Sequence, residues 1–310
     1  MKYAIIGAGG TGGSLGFFLT KAGKDVTLIA RGKHLEAIRK NGLGMECLWD
    51  HKREMIPVKA CTVEEYSDTP DVILVCVKGY SMTETIPVIR KLAGKDTVVL
   101  PILNIYGTGG KLQKEFPELT VPDGCIYVSA NILEPGVILR HGKILRVVFG
   151  ARKPEEETEK MREIAKDMAC ENIEVILSED IRRDAMVKFS YVSPIGVAGL
   201  YCNATAADFQ KDGEAREMFK ALITEIVALS HAMGIEFQED LVERNLKIVA
   251  PLAPEATTSM QRDVYAGKKS EIDGLVFEVV RMADKAGIAV PWYSKVAEKF
   301  GFNIADNKYA

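Results

Sequence analysis

Gly7-Ala8-Gly9-Gly10-Thr11-Gly12 has the spacing G-x-G-x-x-G. In such a run the first glycine makes a tight turn and the second lets backbone amides approach a pyrophosphate. The third lets a helix pack closely on the preceding strand, with its N-terminus aimed at the phosphates. In a chain with 27 glycines the spacing alone is weak. Its context gives it weight. The apolar run Tyr3-Ala4-Ile5-Ile6 precedes it directly, a helical stretch to about Lys21 follows, and a second strand-like run, Val26-Thr27-Leu28-Ile29, arrives on schedule. The bland alternative is a glycine-rich turn that holds no ligand.

The end of that second strand discriminates between nicotinamide cofactors. A carboxylate about 20 residues beyond the glycines would grip a ribose 2′-hydroxyl, but the segment reads Ile29-Ala30-Arg31-Gly32-Lys33. The Arg31 guanidinium suits a 2′-phosphate through paired hydrogen bonds. The expected cofactor is therefore NADPH/NADP+ rather than NADH, unless Arg31 is only a solvated surface charge. Lys78 and Asn104 follow two further apolar runs, residues 72–77 and 98–103. Ligands of open α/β sheets bind outside the carboxyl ends of the strands, so Gly9, Arg31, Lys78 and Asn104 are expected in one crevice. Each of the last two could instead be an ordinary loop polar.

In the second half, Lys188 could carry proton chemistry. Lys188 has apolar neighbours in Phe189, Tyr191 and Val192. An ammonium in such surroundings can stabilise charge developing on a carbonyl oxygen and give it a proton. Burial can also bring a lysine toward neutrality. The same residue reads equally well as the polar edge of an amphipathic helix. Glu271 follows Ser270, a good N-cap, and Asp273 completes a Ser-x-x-Asp box. On its own it reads first as a first-turn carboxylate meeting the helix dipole.

These residues need elements to position them. Residues 72–77 and 98–103 are continuous apolar runs, as strands covered on both faces of a parallel sheet should be, and a helical stretch over 81–92 separates them. Between 126 and 149 three runs (127–132, 137–139 and 144–149) are divided by Pro135-Gly136 and His141-Gly142-Lys143. They read as strands joined by turns, an antiparallel extension of the same sheet. A charged helix is expected over 154–168, with three glutamates in its first turn. From about residue 181 the pattern is helical, over 181–201, 213–233, 238–250 and 271–286, the last closed by Gly287 and Pro291. The expected fold class is α/β: an N-terminal Rossmann-type doubly wound sheet over residues 1–180, which binds cofactor, plus an all-α C-terminal domain over 181–310, which carries substrate and catalysis.

Composition narrows the partners. A length of 310 residues fits two domains. With 40 basic and 43 acidic side chains, net charge −3, a nucleic-acid binder with a broad basic face is excluded. Cysteines 47, 61, 76, 125, 170 and 202 form no C-x-x-C, and the four histidines form no H-x-x-x-H. No metal site is expected, and the cysteines read as reduced core residues of a cytoplasmic chain. No stretch approaches the ~18 consecutive apolar residues of a membrane span, and residues 4–19 are too glycine-rich for an export signal. The partner is a small molecule; monomer and homodimer stay open.

Over nearly its whole length the chain resembles the ketopantoate reductase family. The resemblance is carried by Gly7 to Gly12, Arg31, Val77-Lys78, Asn104, Pro135-Gly136-Val137 with His141-Gly142, and Lys188-Phe189. It continues in Thr258-Ser259-Met260-Gln261-Arg262-Asp263, Ser270-Glu271-Ile272-Asp273 and Gly287-Ile288-Ala289-Val290-Pro291. It implies reduction of a 2-keto acid to a 2-hydroxy acid by hydride from NADPH, with 2-dehydropantoate to pantoate as the family reaction. Lys188 matches the catalytic lysine that protonates the ketone oxygen. Glu271 matches a carboxylate that orients substrate hydroxyl and lysine, and Ser259 a substrate-binding serine. Lys78 and Asn104 match residues near nicotinamide and substrate. Asp263 and Asp273 fall in the same signatures with less defined roles. The chain departs from the family pattern at Val192, Gly196 and Ala206, which stand where asparagines bind substrate, and at Asn104-Ile105, where the pattern has Asn-Gly. These departures point to a different or bulkier 2-keto acid, or a looser pocket. Two other readings compete. A related two-domain dehydrogenase of 3-hydroxyacid or opine type would not need the Ser-Glu-Ile-Asp segment, and a non-catalytic NADP(H) sensor would have no use for a proton donor.

Overall fold

The computed structural model describes residues 1–303. They form two compact units, Met1–Leu103 with Gly107–Arg182, and Asn104–Tyr106 with the residues from Arg183 onward. In the first unit the chain runs β1 (Lys2–Ile6), α1 (Gly10–Lys21), β2 (Asp25–Ile29), α2 (Gly32–Asn41), β3 (Leu43–Cys47), β4 (Arg53–Ile56) and β5 (Lys59–Cys61). It continues with β6 (Val72–Val75), α3 (Met82–Leu92), β7 (Val98–Pro101), α4 (Thr108–Glu115), β8 (Asp123–Glu134), β9 (Val137–Gly150), α5 (Glu159–Met168) and β10 (Glu174–Leu177).

The first sheet has the order β5-β2-β1-β6-β7, all pairs parallel. It is the doubly wound arrangement that the alternating runs predict. The runs Val72–Val75 and Val98–Pro101, the latter at one edge of the sheet, are buried along their whole length because both faces are covered. Helix α1 lies close against this sheet for a specific reason. A side chain at Gly16 would come within 2.6 Å of Leu28, and one at Gly12 within 2.0 Å of the Gly7 carbonyl oxygen.

Residues 126–149 do not extend that sheet. They build a second one, ordered β10-β9-β3-β4 with β8 paired to β9. Its inner face, with Ile138, Leu145, Val147 and Phe149, shares one apolar core with Leu15 and Phe18 of α1 and with Met161 and Ile164 of α5. The expected antiparallel character holds for β8–β9, but β9 pairs parallel with both β3 and β10. Only Pro135-Gly136 turns the chain, with Gly136 at φ 83°. His141-Gly142-Lys143 lies within β9. Val128 pairs with Leu145 and Ala130 with Arg140, so the residues from His141 to Ile144 bulge out opposite Ser129. A bulge needs the same small and polar residues as a turn, which is why the sequence imitates one. The charged helix also starts later than expected. Pro154–Glu156 is a separate 3₁₀ turn, and α5 begins after Thr158, whose hydroxyl accepts the Met161 N–H.

The second unit consists of α6 (Ile181–Cys202, whose first two residues lie in the first unit), α7 (Ala206–Gln210), α8 (Glu214–Ala232), α9 (Leu241–Val249), α10 (Ser259–Tyr265), α11 (Glu278–Ala286) and α12 (Pro291–Lys299). Its core gathers Phe189, Phe209, Phe219, Ile223, Leu275 and Tyr293. The helix expected over 271–286 is not uniform, because Asp273–Phe277 forms a π-helical turn before α11 begins. Helix α6 contains Pro194, which has no N–H for the Ser190 carbonyl one turn back. The buried Asn245 side chain supplies the missing donor, its Nδ2 reaching Ser190 O at 2.9 Å. Next to it the Ser193 hydroxyl donates to Leu275 O in the π turn at 2.6 Å. Among the described residues no helix is long and apolar enough to cross a membrane, and no cluster of His, Cys, Asp or Glu could hold a metal.

Candidate functional site

At the carboxyl end of β1 the chain turns through Gly7 at φ +96°, where a side chain would sit 3.0 Å from the Cys76 carbonyl. Gly9 caps α1 in an extended conformation, and a Cβ there would meet nothing within 4 Å. The remaining glycines are hemmed in, since a Cβ on Gly10 would lie 2.2 Å from Ala130 O. The first helical bond runs from Gly13 N–H to Gly9 O at 2.7 Å. The N–H groups of Gly10, Thr11 and Gly12 therefore precede it, at the positive end of the helix, and no acidic residue occupies the first turn. This is a cradle of backbone donors with one open side, and it fits a diphosphate.

Two cations stand on the neighbouring strand ends. Arg31 is exposed and caps α2 directly after β2, while half-buried Lys78 caps the 3₁₀ turn Gly79–Ser81 after β6. Since β2, β1 and β6 are adjacent, the glycine turn, Arg31 and Lys78 share one edge of the sheet. No carboxylate occurs between Ala30 and Lys33. The residues present thus fit a dinucleotide carrying a 2′-phosphate. His34, which sequence reasoning passed over, also belongs here. One ring nitrogen meets the Ala8 carbonyl of the glycine turn at 2.8 Å, and the other receives the Gly136 N–H at 3.0 Å. Burial holds its pKa below the usual histidine value.

Asn104 is grouped differently from the other three expected crevice residues, because it packs with the second unit. There Lys188, only 7% exposed on α6, donates from Nζ to Asn104 Oδ1 at 2.8 Å. The two following residues fasten the same segment. Ile105 fits against Gly274 so closely that a Cβ on the glycine would lie 2.1 Å from its Cδ1, and the Tyr106 ring lies 6.2 Å from that of Phe189.

Glu271 is 2% exposed, and its carbonyl accepts the Leu275 N–H at 2.9 Å. A solvated first-turn carboxylate would not be buried in this way, since a buried charge costs free energy unless it is met by partners. Asp273 is the exposed member of that signature, paired with Arg281 at 2.6 Å. Ser259 is the first residue of α10, half-buried, and follows Thr258, which forms a capping box with Gln261. Lys188, Val192 and Gly196 lie four residues apart on one face of α6. Gly196 is buried, and a Cβ on it would come within 3.0 Å of Met260 and 3.6 Å of the Thr258 hydroxyl. The stripe that begins at Lys188 therefore ends at the residues flanking Ser259. Ala206 is buried at the start of α7, and Asp263 is half-buried on α10.

Comparison with known proteins follows the same division. Residues 3–154 match the family described as Ketopantoate reductase PanE/ApbA, and residues 180–301 match its C-terminal part. A 2-dehydropantoate 2-reductase of Mesorhizobium japonicum is 29% identical over 307 residues, covering 92% of this chain and 93% of that protein. The enzyme of the same name from Pyrococcus horikoshii is 27% identical, covering 94% and 93%. The crystal structure of a PanE/ApbA family ketopantoate reductase from Ralstonia eutropha superposes with a TM-score of 0.85 at 25% identity, over 96% of this chain and 97% of that one. A D-mandelate dehydrogenase solved with NADH and anilino(oxo)acetate shares the fold, with a TM-score of 0.85 at 21% identity over 96% of both chains. With both units matched, the chain belongs to the ketopantoate reductase family of NADP-dependent oxidoreductases.

Proposed function

We propose that the chain uses NADPH to reduce a 2-keto acid to a 2-hydroxy acid, with 2-dehydropantoate to pantoate as the leading reaction. The observation that carries this reading is the buried Lys188 ammonium held by Asn104 Oδ1 at 2.8 Å. When bound, NADPH would supply the hydride for the keto carbon. The backbone N–H groups of Gly10, Thr11 and Gly12 would hold its diphosphate, Arg31 its 2′-phosphate, and Lys78 would add positive charge at the same sheet edge.

The work of Lys188 follows from its surroundings. Asn104 Oδ1 accepts one of the three ammonium protons and so fixes the head group on its flexible stem. An ammonium held in this way stabilises the negative charge that builds on the keto oxygen, and it passes a proton to that oxygen as the charge develops. Lys188 is then a neutral amine, and solvent restores its proton. Glu271 is assigned to orient the substrate hydroxyl and the lysine, and Ser259 to bind substrate. The Lys188→Ala enzyme should lose about 10²–10⁴ in kcat while still binding NADPH, as shown by single-turnover and nucleotide-titration measurements. A kcat near that of the parent enzyme would overturn the role.

One observation favours a second substrate reading. The face of α6 that starts at Lys188 continues through Val192 and Gly196, and Ala206 is buried. None of the three residues can give a substrate hydroxyl a side-chain hydrogen bond, so a 2-keto acid with an apolar group fits them better than one with a hydroxyl.

A further inference from the structure

We infer that His34 is the positioning residue of the glycine turn, fixing through the Ala8 carbonyl the backbone that receives the cofactor diphosphate. The inference rests on the dinucleotide reading of that turn. The Gly136 N–H donates to His34 Nδ1, so that nitrogen carries the lone pair and the ring proton sits on Nε2. Nε2 must then be the donor to Ala8 O at 2.8 Å. Neutral imidazole meets both demands with one donor and one acceptor, whereas imidazolium would bring two donors.

The consequence for binding lies in peptide geometry. The carbonyl of Ala8 and the N–H of Gly9 belong to one planar trans unit and point in opposite directions. Holding Ala8 O toward His34 therefore directs the Gly9 N–H away from it. A turn that contains Gly7, Gly9 and Gly10 has unusual backbone freedom to lose when a ligand binds. A fixed ring removes part of that freedom in advance, which strengthens binding without a new contact. His34 also stands three residues after Arg31, in the first turn of the helix that Arg31 caps. The hairpin on its other side is firmly seated, since a Cβ on Gly136 would lie 3.0 Å from Ala37 and one on Gly13 2.7 Å from Ile138. One imidazole thus joins α2, the glycine turn and the β8–β9 hairpin.

The test is the dissociation constant of the full chain for NADPH and for NADH, by fluorescence titration, in His34→Asn and His34→Gln. Asparagine keeps an acceptor for Gly136 but falls short of Ala8, so it should weaken both dinucleotides by about 3–10-fold. Glutamine reaches Ala8 with an amide N–H and should stay within about 2-fold of the parent protein. His34→Ala gives the same loss as asparagine and serves if the asparagine variant does not fold. Unchanged affinity in His34→Asn, or equal loss in His34→Gln, overturns the inference, as does a loss confined to NADPH, which would belong to Arg31. A parent protein that binds neither dinucleotide overturns the cofactor reading and this one together.

Discussion

Arg31 is where cofactor choice should be decided. Its guanidinium stands exposed at the end of β2, where an NAD-selective site would place a carboxylate. On the proposed cofactor reading, replacing it by alanine would remove charge-assisted bonds to a 2′-phosphate, each worth about 1.5–3 kcal/mol. The KM for NADPH should therefore rise at least tenfold, while that for NADH stays nearly constant; parallel initial-rate series with both cofactors check this. Asn245 makes a different kind of prediction. It donates to the carbonyl that Pro194 leaves without a partner in the interior of α6. Asn245→Ala should lower stability by about 1–3 kcal/mol in urea denaturation, since a buried acceptor would then go unmet. Residue types at this scale were visible, but not their roles: Lys188 read equally well as the polar edge of a helix, and Asn104 as a loop polar. Nor were their partners visible. Lys188 and Asn104 are 84 positions apart, and nothing in either neighbourhood names the other.

Elements were legible where periodicity is strong and misleading where one composition serves two structures. The continuous apolar runs of β6 and β7 read as strands covered on both faces, and both are buried along their whole length. His141-Gly142-Lys143 has turn composition and forms a bulge, because its neighbours continue the ladder on both sides. The apolar stripe over 271–286 was real, yet it could not reveal that the first turn is π-helical. That turn offers a sharp test through Gly274, against which Ile105 is seated. Gly274→Ala should cost about 1–3 kcal/mol of stability, because the added methyl group overpacks the contact. It should also lower kcat by displacing Asn104, the neighbour of Ile105, from Lys188. Adding Ile105→Ala should recover most of both losses. If the two substitutions instead add, as independent sites do, Ile105 does not hold Asn104 in place.

For the whole molecule, the two-part α/β organisation could be read from the chain because the change from alternating to helical periods is abrupt. What could not be read is the second sheet, whose strands come from distant stretches. The substrate question also belongs to this scale. A panel of 2-keto acids assayed with NADPH should show kcat/KM for branched or aromatic side chains at or above that for 2-dehydropantoate, if the Val192 and Gly196 surface receives the side chain. A clear preference for 2-dehydropantoate would return those two residues to a packing role. The second sheet also governs how the protein is made. Strand β3 ends at Cys47, yet its parallel partner begins at Val137, and the Tyr3 hydroxyl waits for Asp167, to which it donates at 2.7 Å. As the chain leaves the ribosome, β3 can pack on α1 and pair with β4, but its other edge stays open until some ninety further residues have emerged. Such late, non-local pairing makes for slow closure and a long interval with an open strand edge, so the first unit is the part of this protein for which a chaperone would matter most.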